Sequence, residues 1–229
     1  MGVAELAHVR WIAGGTGAGK STVARILAER HGLTVYDGDR AEAGYAARCT
    51  PERHPYMCAL LRTPVEERYA GRAPEEVFRA MPSLHGETFG FVAEDLLALP
   101  ADRPVLVDDF RPLPRELAPL LVRPEQAVFL LPAPGFRRRV LEARYADPGR
   151  ARATWGDVDP AAALAVRVAR DELWDAEVRR QARETGLPVV DVDGSREAEA
   201  LAAGLAAAFG LMQRSGHPVR DARGGCSPC

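Results

Sequence analysis

Five short apolar runs punctuate the chain, at residues 9–13, 33–36, 104–107, 127–131 and 187–192. Each is four to six residues long and rich in Val, Leu, Ile or Phe, the signature of a buried strand. Between them the apolar period changes to that of a helix. Residues 21–31 carry Val23, Ile26 and Leu27, and Gly32 closes the segment. Residues 87–99 carry Phe91, Val92, Leu96 and Leu99 near one side. Further helices are predicted over 134–145, 160–185 and 196–209. Residues 40–86 are harder to read, because prolines, aromatics and arginines are interleaved there. Short helical candidates lie near 65–71 and 74–80, and residues 146–158 read as a polar, Gly-containing loop.

Strands that alternate with helices predict an α/β fold of three layers, with a five-stranded parallel sheet and helices on both faces. The predicted domain covers residues 1–212. Two segments stand apart from the alternation, a helical region at about 40–100 and a segment at about 137–158. The polar, Gly-rich stretch 213–229 is expected to be a disordered tail. Ligands of such sheets bind beyond the carboxyl ends of the strands. The chemistry-bearing residues fall at those ends: a Gly-rich loop after the first strand, Asp37 and Asp39 after the second, Asp108 and Asp109 after the third.

The loop, GGTGAGKS at residues 14–21, matches G-x-x-x-x-G-K-[ST] between a strand and a helix, the context that a phosphate loop requires. Glycines let successive N–H groups turn inward toward phosphate oxygens, and the following helix adds its positive end. Gly14, Gly15, Thr16, Gly17, Ala18, Gly19, Lys20, Ser21 and Thr22 are therefore the candidate nucleotide-binding residues. Lys20 would meet the β- and γ-phosphates, and Ser21 would meet Mg²⁺. Composition strengthens this reading. Of 30 basic residues 29 are arginine, so Lys20 is the single lysine. A planar guanidinium is a poor substitute for a point charge that must follow a transferring phosphoryl group. The expected ligands are ATP or GTP, with Mg²⁺.

Phosphoryl transfer also needs carboxylates. Asp108 is placed to hold Mg²⁺ through water, while Asp109 points the other way if the strand continues. Asp37 and Asp39 stand where an acceptor would be gripped, and both also suit a simple turn. The loop GGTGAGKST, the DGD at 37–39 and the VDDFRP at 107–112 together resemble P-loop small-molecule and nucleotide kinases. VDDFRP is similar to the D-G-F-P-R segment of adenylate kinases, with Asp109 in place of the glycine and Arg and Pro exchanged. The DGD resembles the acceptor-binding acids of shikimate- and gluconate-type kinases. This resemblance implies Asp108 as the metal-side acid, Asp37 and Asp39 as acceptor-binding or catalytic acids, and Arg111 near a bound phosphate. It implies an acceptor-binding region at about 40–100 and a small lid at about 137–158, after the fourth strand, where the chain carries Arg137, Arg138, Arg139, Arg144, Arg150 and Arg152. Arg167 and Arg170 follow on the next helix, and Arg144 and Arg170 are the chosen clamps for developing charge.

The net charge of −2 argues against a broad nucleic-acid surface. No apolar stretch is long enough to span a membrane, and the first residues lack the form of a leader, so a cytoplasmic protein is the default. Cys49, Cys58, Cys226 and Cys229 make no secreted disulfide framework, and the C-x-x-C of the tail has only His217 nearby as a further ligand. Three functions remain. The first is an ATP-dependent, Mg²⁺-requiring kinase of an unidentified small-molecule or nucleotide acceptor. The second is a regulatory ATPase, and the third a non-catalytic ATP-binding protein. A Ras-type guanine reader, N-K-x-D, is excluded because the chain has no asparagine.

Overall fold

The computed structural model describes residues 5–211. In chain order its strands and α-helices are β1 (Val9–Gly14), α1 (Lys20–His31), β2 (Thr34–Asp37), α2 (Gly38–Glu42), α3 (Pro55–Arg62), α4 (Pro74–Arg79) and α5 (Phe89–Leu97). Then come β3 (Val105–Asp108), α6 (Pro114–Leu117), β4 (Ala127–Pro132), α7 (Pro134–Tyr145), α8 (Pro148–Trp155), α9 (Pro160–Thr185), β5 (Val189–Val192) and α10 (Ala198–Ala208). The five strands form one parallel sheet in the order β2-β3-β1-β4-β5. The predicted fold class is therefore the observed one. β1 lies between β3 and β4, so the strand order reverses beside the loop that follows β1, which opens a crevice at the carboxyl edge.

The central strands are apolar on both sides because each side enters a different core. Val9, Trp11 and Ala13 of β1 join Val105, Val107, Phe129 and Leu131 on one face, where Phe91, Leu96, Leu117, Trp174 and Val178 cover them. Ile12 joins Leu106, Val128 and Leu130 on the other face, beneath Val23, Ile26 and Leu27 of α1 and Leu201 and Leu205 of α10. This alternation puts α5, α6 and α9 on one layer and α1 with α10 on the other. No helix among the described residues is long and apolar enough to cross a membrane. The predicted tail at 213–229, with Cys226 and Cys229, lies outside the described residues.

Two segments differ from the prediction. Residues 146–158, read as a loop, contain α8. Asp147 caps it by accepting from Arg150 N at 2.7 Å, and Pro148 fills the first turn. Its buried residues, Ala151 and Trp155, are four apart and pack with Ala163, Tyr145 and Tyr69 in a small separate core. Gly156 then turns the chain at φ 66°, and a Cβ there would lie 1.9 Å from Glu66 Oε1. In region 40–86, α3 was not foreseen. Its first amides, Tyr56 N and Met57 N, donate to the Glu87 carboxylate at 3.0 and 2.7 Å. A cap supplied from 30 residues away leaves no local signal.

A similar device starts α6, where Leu113 N donates to Glu116 Oε2 at 2.8 Å. Burial pushes the Glu116 carboxyl up to about 7, against the pull of that bond and of Arg115. A carboxyl raised in the folded state holds more protons than in the unfolded chain, so it adds stability as pH falls from about 7 toward its ordinary 4.5. Glu116→Gln should remove that increment. Urea melts at pH 8 and pH 5 should show a larger acid-side gain in the wild type than in the variant.

Candidate functional site

The loop after β1 is shaped by what three glycines permit. Gly14, Gly17 and Gly19 have φ of 108°, 84° and 78°, where side chains are strained. At Gly14 space is also lacking, since a Cβ would lie 2.4 Å from Leu130 O. Gly15 N donates to that same carbonyl at 2.8 Å, which sews the loop to β4. Helix α1 then begins with no side-chain cap and no acid in its first turn. Its leading amides therefore face the crevice with the positive end of the helix, an arrangement that suits an anion.

Lys20 is the first residue of α1. Its Nζ donates to Gly15 O at 2.8 Å and reaches Gly14 O at 3.4 Å. Burial lowers its pKa, while Asp108, Asp39, Asp109 and Asp175 oppose the fall. Asp108 ends β3 beside Ile12 of β1 and Asp37 of β2. The Ser21 hydroxyl lines the same crevice as its carboxylate. Burial raises the pKa of Asp108, Ser21 and Lys20 draw it down, and Asp37 and Asp39 raise it again. Ser21 and Asp108, paired at the mouth of the loop, are hard oxygen donors of the kind that Mg²⁺ takes alongside water and substrate phosphates.

The other acids have separate placements. The Asp37 carboxylate accepts from Arg40 N at 3.1 Å and caps α2, and it lines neither cavity described below. Asp39 projects outward, with its side chain 82% exposed, and meets Arg111 Nη1 at 3.1 Å. Asp109 turns inward, buried, and meets the same Nη1 at 2.7 Å. It fills the space over Gly38, where a Cβ would lie 2.2 Å from its Cγ. The glycine of DGD is thus fixed by the second aspartate of VDDF. Arg111 is buried and also grips Glu42 through Nε at 3.1 Å and Nη2 at 2.6 Å. Burial would lower its pKa, but Asp109, Glu42 and Asp39 together raise it. Its fork is filled by carboxylates of its own chain.

Two adjoining cavities occupy the crevice. The first, about 190 Å³, is lined by Thr16, Gly17, Gly19, Lys20, Ser21 and Thr22 of the loop, by Asp108 and Asp109, and by Arg144. The second, about 450 Å³, lies over α2, α3 and α4, and Arg111 and Arg170 are on its wall. Asp39, Phe110 and Arg167 line both and so mark where they meet. Arg144 therefore faces the loop, and Arg170 faces the second cavity. Arg170 meets Asp171 at 2.9 Å and Met81 Sδ at 3.1 Å. Arg167, passed over in favour of Arg170, is the arginine at the junction, 3.5 Å from Asp171. Spacing put the two on one helix face and could not rank them.

The sequence also left the support of the loop unseen. Arg137 belongs to the arginine run assigned to the lid, yet it is buried beneath the loop and not above it. It is ion-paired with Asp175 of α9, and its Nε reaches Thr16 O at 3.4 Å. A Cβ on Gly15 would lie 2.5 Å from Asp175 Oδ1. The only sequence signal was position, since residue 137 lies in the first turn of the helix after β4 and is buried there.

No protein-family model matches the chain, and no curated protein matches it. Among solved structures it is similar to an uncharacterized protein from Eubacterium ventriosum, at 14% identity and a TM-score of 0.46, over 88% of this chain and 97% of that one. It is also similar to TT1252 from Thermus thermophilus, at 23% identity and a TM-score of 0.44, over 87% of this chain and 96% of that one. At these values the likeness says nothing about chemistry.

The buried pair predicts a pH-dependent cost. Burial pushes the Asp175 carboxyl up to about 6, while Arg137 pulls it down. Arg137→Met would strand that carboxylate and should destabilise the protein by about 3–5 kcal/mol at pH 8. The loss should shrink at pH 5, where the stranded group is protonated. Urea melts of the variant at both pH values check this.

Proposed function

We propose that this protein is an ATP-dependent phosphotransferase that phosphorylates a small-molecule acceptor. The observation that carries the reading is the meeting of two cavities at Asp39, Phe110 and Arg167, with Lys20, Ser21 and Asp108 on one side. A protein that only bound nucleotide would have no need of a second cavity opening onto the loop. In this reading the amides of residues 14–22 cradle the phosphates of ATP, and Lys20 leaves the carbonyls of Gly14 and Gly15 for the β- and γ-oxygens. Ser21 and Asp108 would hold Mg²⁺, Asp108 through water. When bound, the ion would neutralise charge on the transferring group.

The chain's own residues supply the rest. Asp39 stands at the junction, exposed and able to accept an acceptor proton. Asp37 acts through its neighbours, holding the start of α2 and adding negative charge beside Asp108. Arg111 keeps Asp39 in place from behind. Arg144 and Arg167 would shield the charge that develops between the cavities, and Arg170 would steady the acceptor wall. Asp39 and Arg111 thus form the acceptor side, Asp39 by contact and Arg111 by positioning.

The test is incubation with γ-labelled ATP and Mg²⁺ against pooled nucleosides, nucleotides, sugars, hydroxy acids and aminoglycosides. Label should move to at least one pool. Lys20→Ala should abolish that transfer, and Lys20→Arg should keep only a small fraction of it. Slow hydrolysis that ignores every acceptor would contradict the proposal, as would full activity in Lys20→Ala.

A further inference from the structure

A buried acid stands directly behind the phosphate loop, where its charge opposes an anionic ligand. Resting on the nucleotide-binding part of the kinase reading, we infer that Asp175 is a positioning residue that couples the loop to a proton. When a triphosphate draws Lys20 away from Gly15, the Asp175 carboxylate takes up a proton in exchange. The carboxylate is 8% exposed, and its two oxygens have unlike surroundings. Oδ2 is ion-paired with Arg137 Nη2. Oδ1 is buried and accepts no hydrogen bond from a described residue. Oδ1 is also the oxygen turned to the loop, 2.5 Å from where a Cβ on Gly15 would stand. The carbonyl of that same glycine receives Lys20 Nζ at 2.8 Å. Arg137 is held in place by a second contact, from its Nε to Thr16 O at 3.4 Å.

Three charged groups face Asp175: Arg137 from α7, Lys20 from α1, and Asp171 one turn earlier on α9. β4 contributes the uncharged ring of Pro132 at the same point under Gly15. At rest, Arg137 and Lys20 keep the proton off, while burial and Asp171 favour it, and the carboxyl is pushed up to about 6. In return Asp175 is one of the acids that keep the buried Lys20 charged. A bound triphosphate changes two of these influences together. Lys20 turns to the β- and γ-oxygens, and phosphate charge arrives across the bare backbone of Gly15. Both changes favour the neutral acid. Arg137 is buried against Thr16 and cannot follow Lys20. The proton comes from solvent and sits on Oδ1, the oxygen without a partner, while Oδ2 keeps Arg137. The loop amides then meet the phosphates with no anion behind them. A brace alone would need no ionisable group here. Asp175 touches no nucleotide and acts through the loop. Because nucleotide raises the affinity of this carboxyl for its proton, protonation strengthens nucleotide binding. That gain is complete below the resting value of about 6 and is lost as pH rises through the higher value of the complex.

The test is calorimetric titration of the protein with Mg²⁺ and a non-hydrolysable ATP analogue at pH 6.5, in two buffers of unlike protonation enthalpy. The difference in heat counts protons taken up per nucleotide. The wild type should take up about half a proton more than Asp175→Asn, whose side chain mimics the neutral acid. The nucleotide's own protons titrate equally in both proteins and cancel. Between pH 6 and pH 8 the Kd should rise about fivefold more in the wild type than in the variant. A group that only braced the fold would alter affinity by the same factor at every pH. If Asp175→Asn does not fold, Arg137→Gln/Asp175→Asn removes both charges together and serves the same comparison. Equal proton uptake in wild type and variant, or parallel pH profiles, would overturn the inference and leave the kinase reading standing. Failure of the analogue to bind the wild type would contradict the kinase reading itself, and the inference with it.

Discussion

The carboxyl edge of the sheet depends on how closely the backbone at Gly14 and Gly15 approaches β4 and α9. Leu130 O lies within 2.4 Å of where a Cβ of Gly14 would stand, and Asp175 Oδ1 within 2.5 Å of one on Gly15. Only bare backbone fits there, and that approach turns the loop back over the end of β1. The Arg137–Asp175 pair holds the underside. Breaking such a pair exposes a buried charge, so the loop and the α7–α9 packing stand or fall together. The direction of Lys20, the start of α1 and the mouth of the first cavity all follow from this seat.

A second constraint links the acids. Asp108, Asp37 and Asp39 crowd one end of two neighbouring strands, and their mutual repulsion raises the Asp108 pKa beyond the effect of burial. Lys20 on one side and Arg111 on the other compensate for that crowding. Arg111 ties VDDF to α2 through Asp109, Glu42 and Asp39, so the segment that bears Asp39 is fixed to the strand that bears Asp108. The two cavities therefore keep a set relation to each other, which a transfer between them would need.

The sheet and its order of elements were legible because strands buried on both faces read as unbroken apolar runs, and the loop motif fixed the first crossover. The short helices were not. The cap of α3 comes from Glu87, and the core of α8 is only Ala151 and Trp155 against residues from α7, α9 and the 63–71 segment. At the site, the loop residues and Asp108 were legible from spacing. Arg167 could not be distinguished from Arg170, because both lie on one helix face and only the shape of the crevice separates them. Arg137 was misread because an arginine run does not reveal which member is buried. The turn of Asp109 away from Asp108 was legible, but its partners, Arg111 and Gly38, were not, because they lie on different elements.

The central claim is that the loop at 14–21 is a phosphate cradle whose lysine changes partner when nucleotide binds. A crystal structure of the protein with Mg²⁺ and a non-hydrolysable ATP analogue tests it most directly. The account predicts the triphosphate within the loop, with Lys20 Nζ on β- and γ-oxygens and no longer on Gly15 O, and with Ser21 and Asp108 on the metal side. A nucleotide bound elsewhere, or a Lys20 still bonded to Gly15 O beside a bound triphosphate, would contradict it.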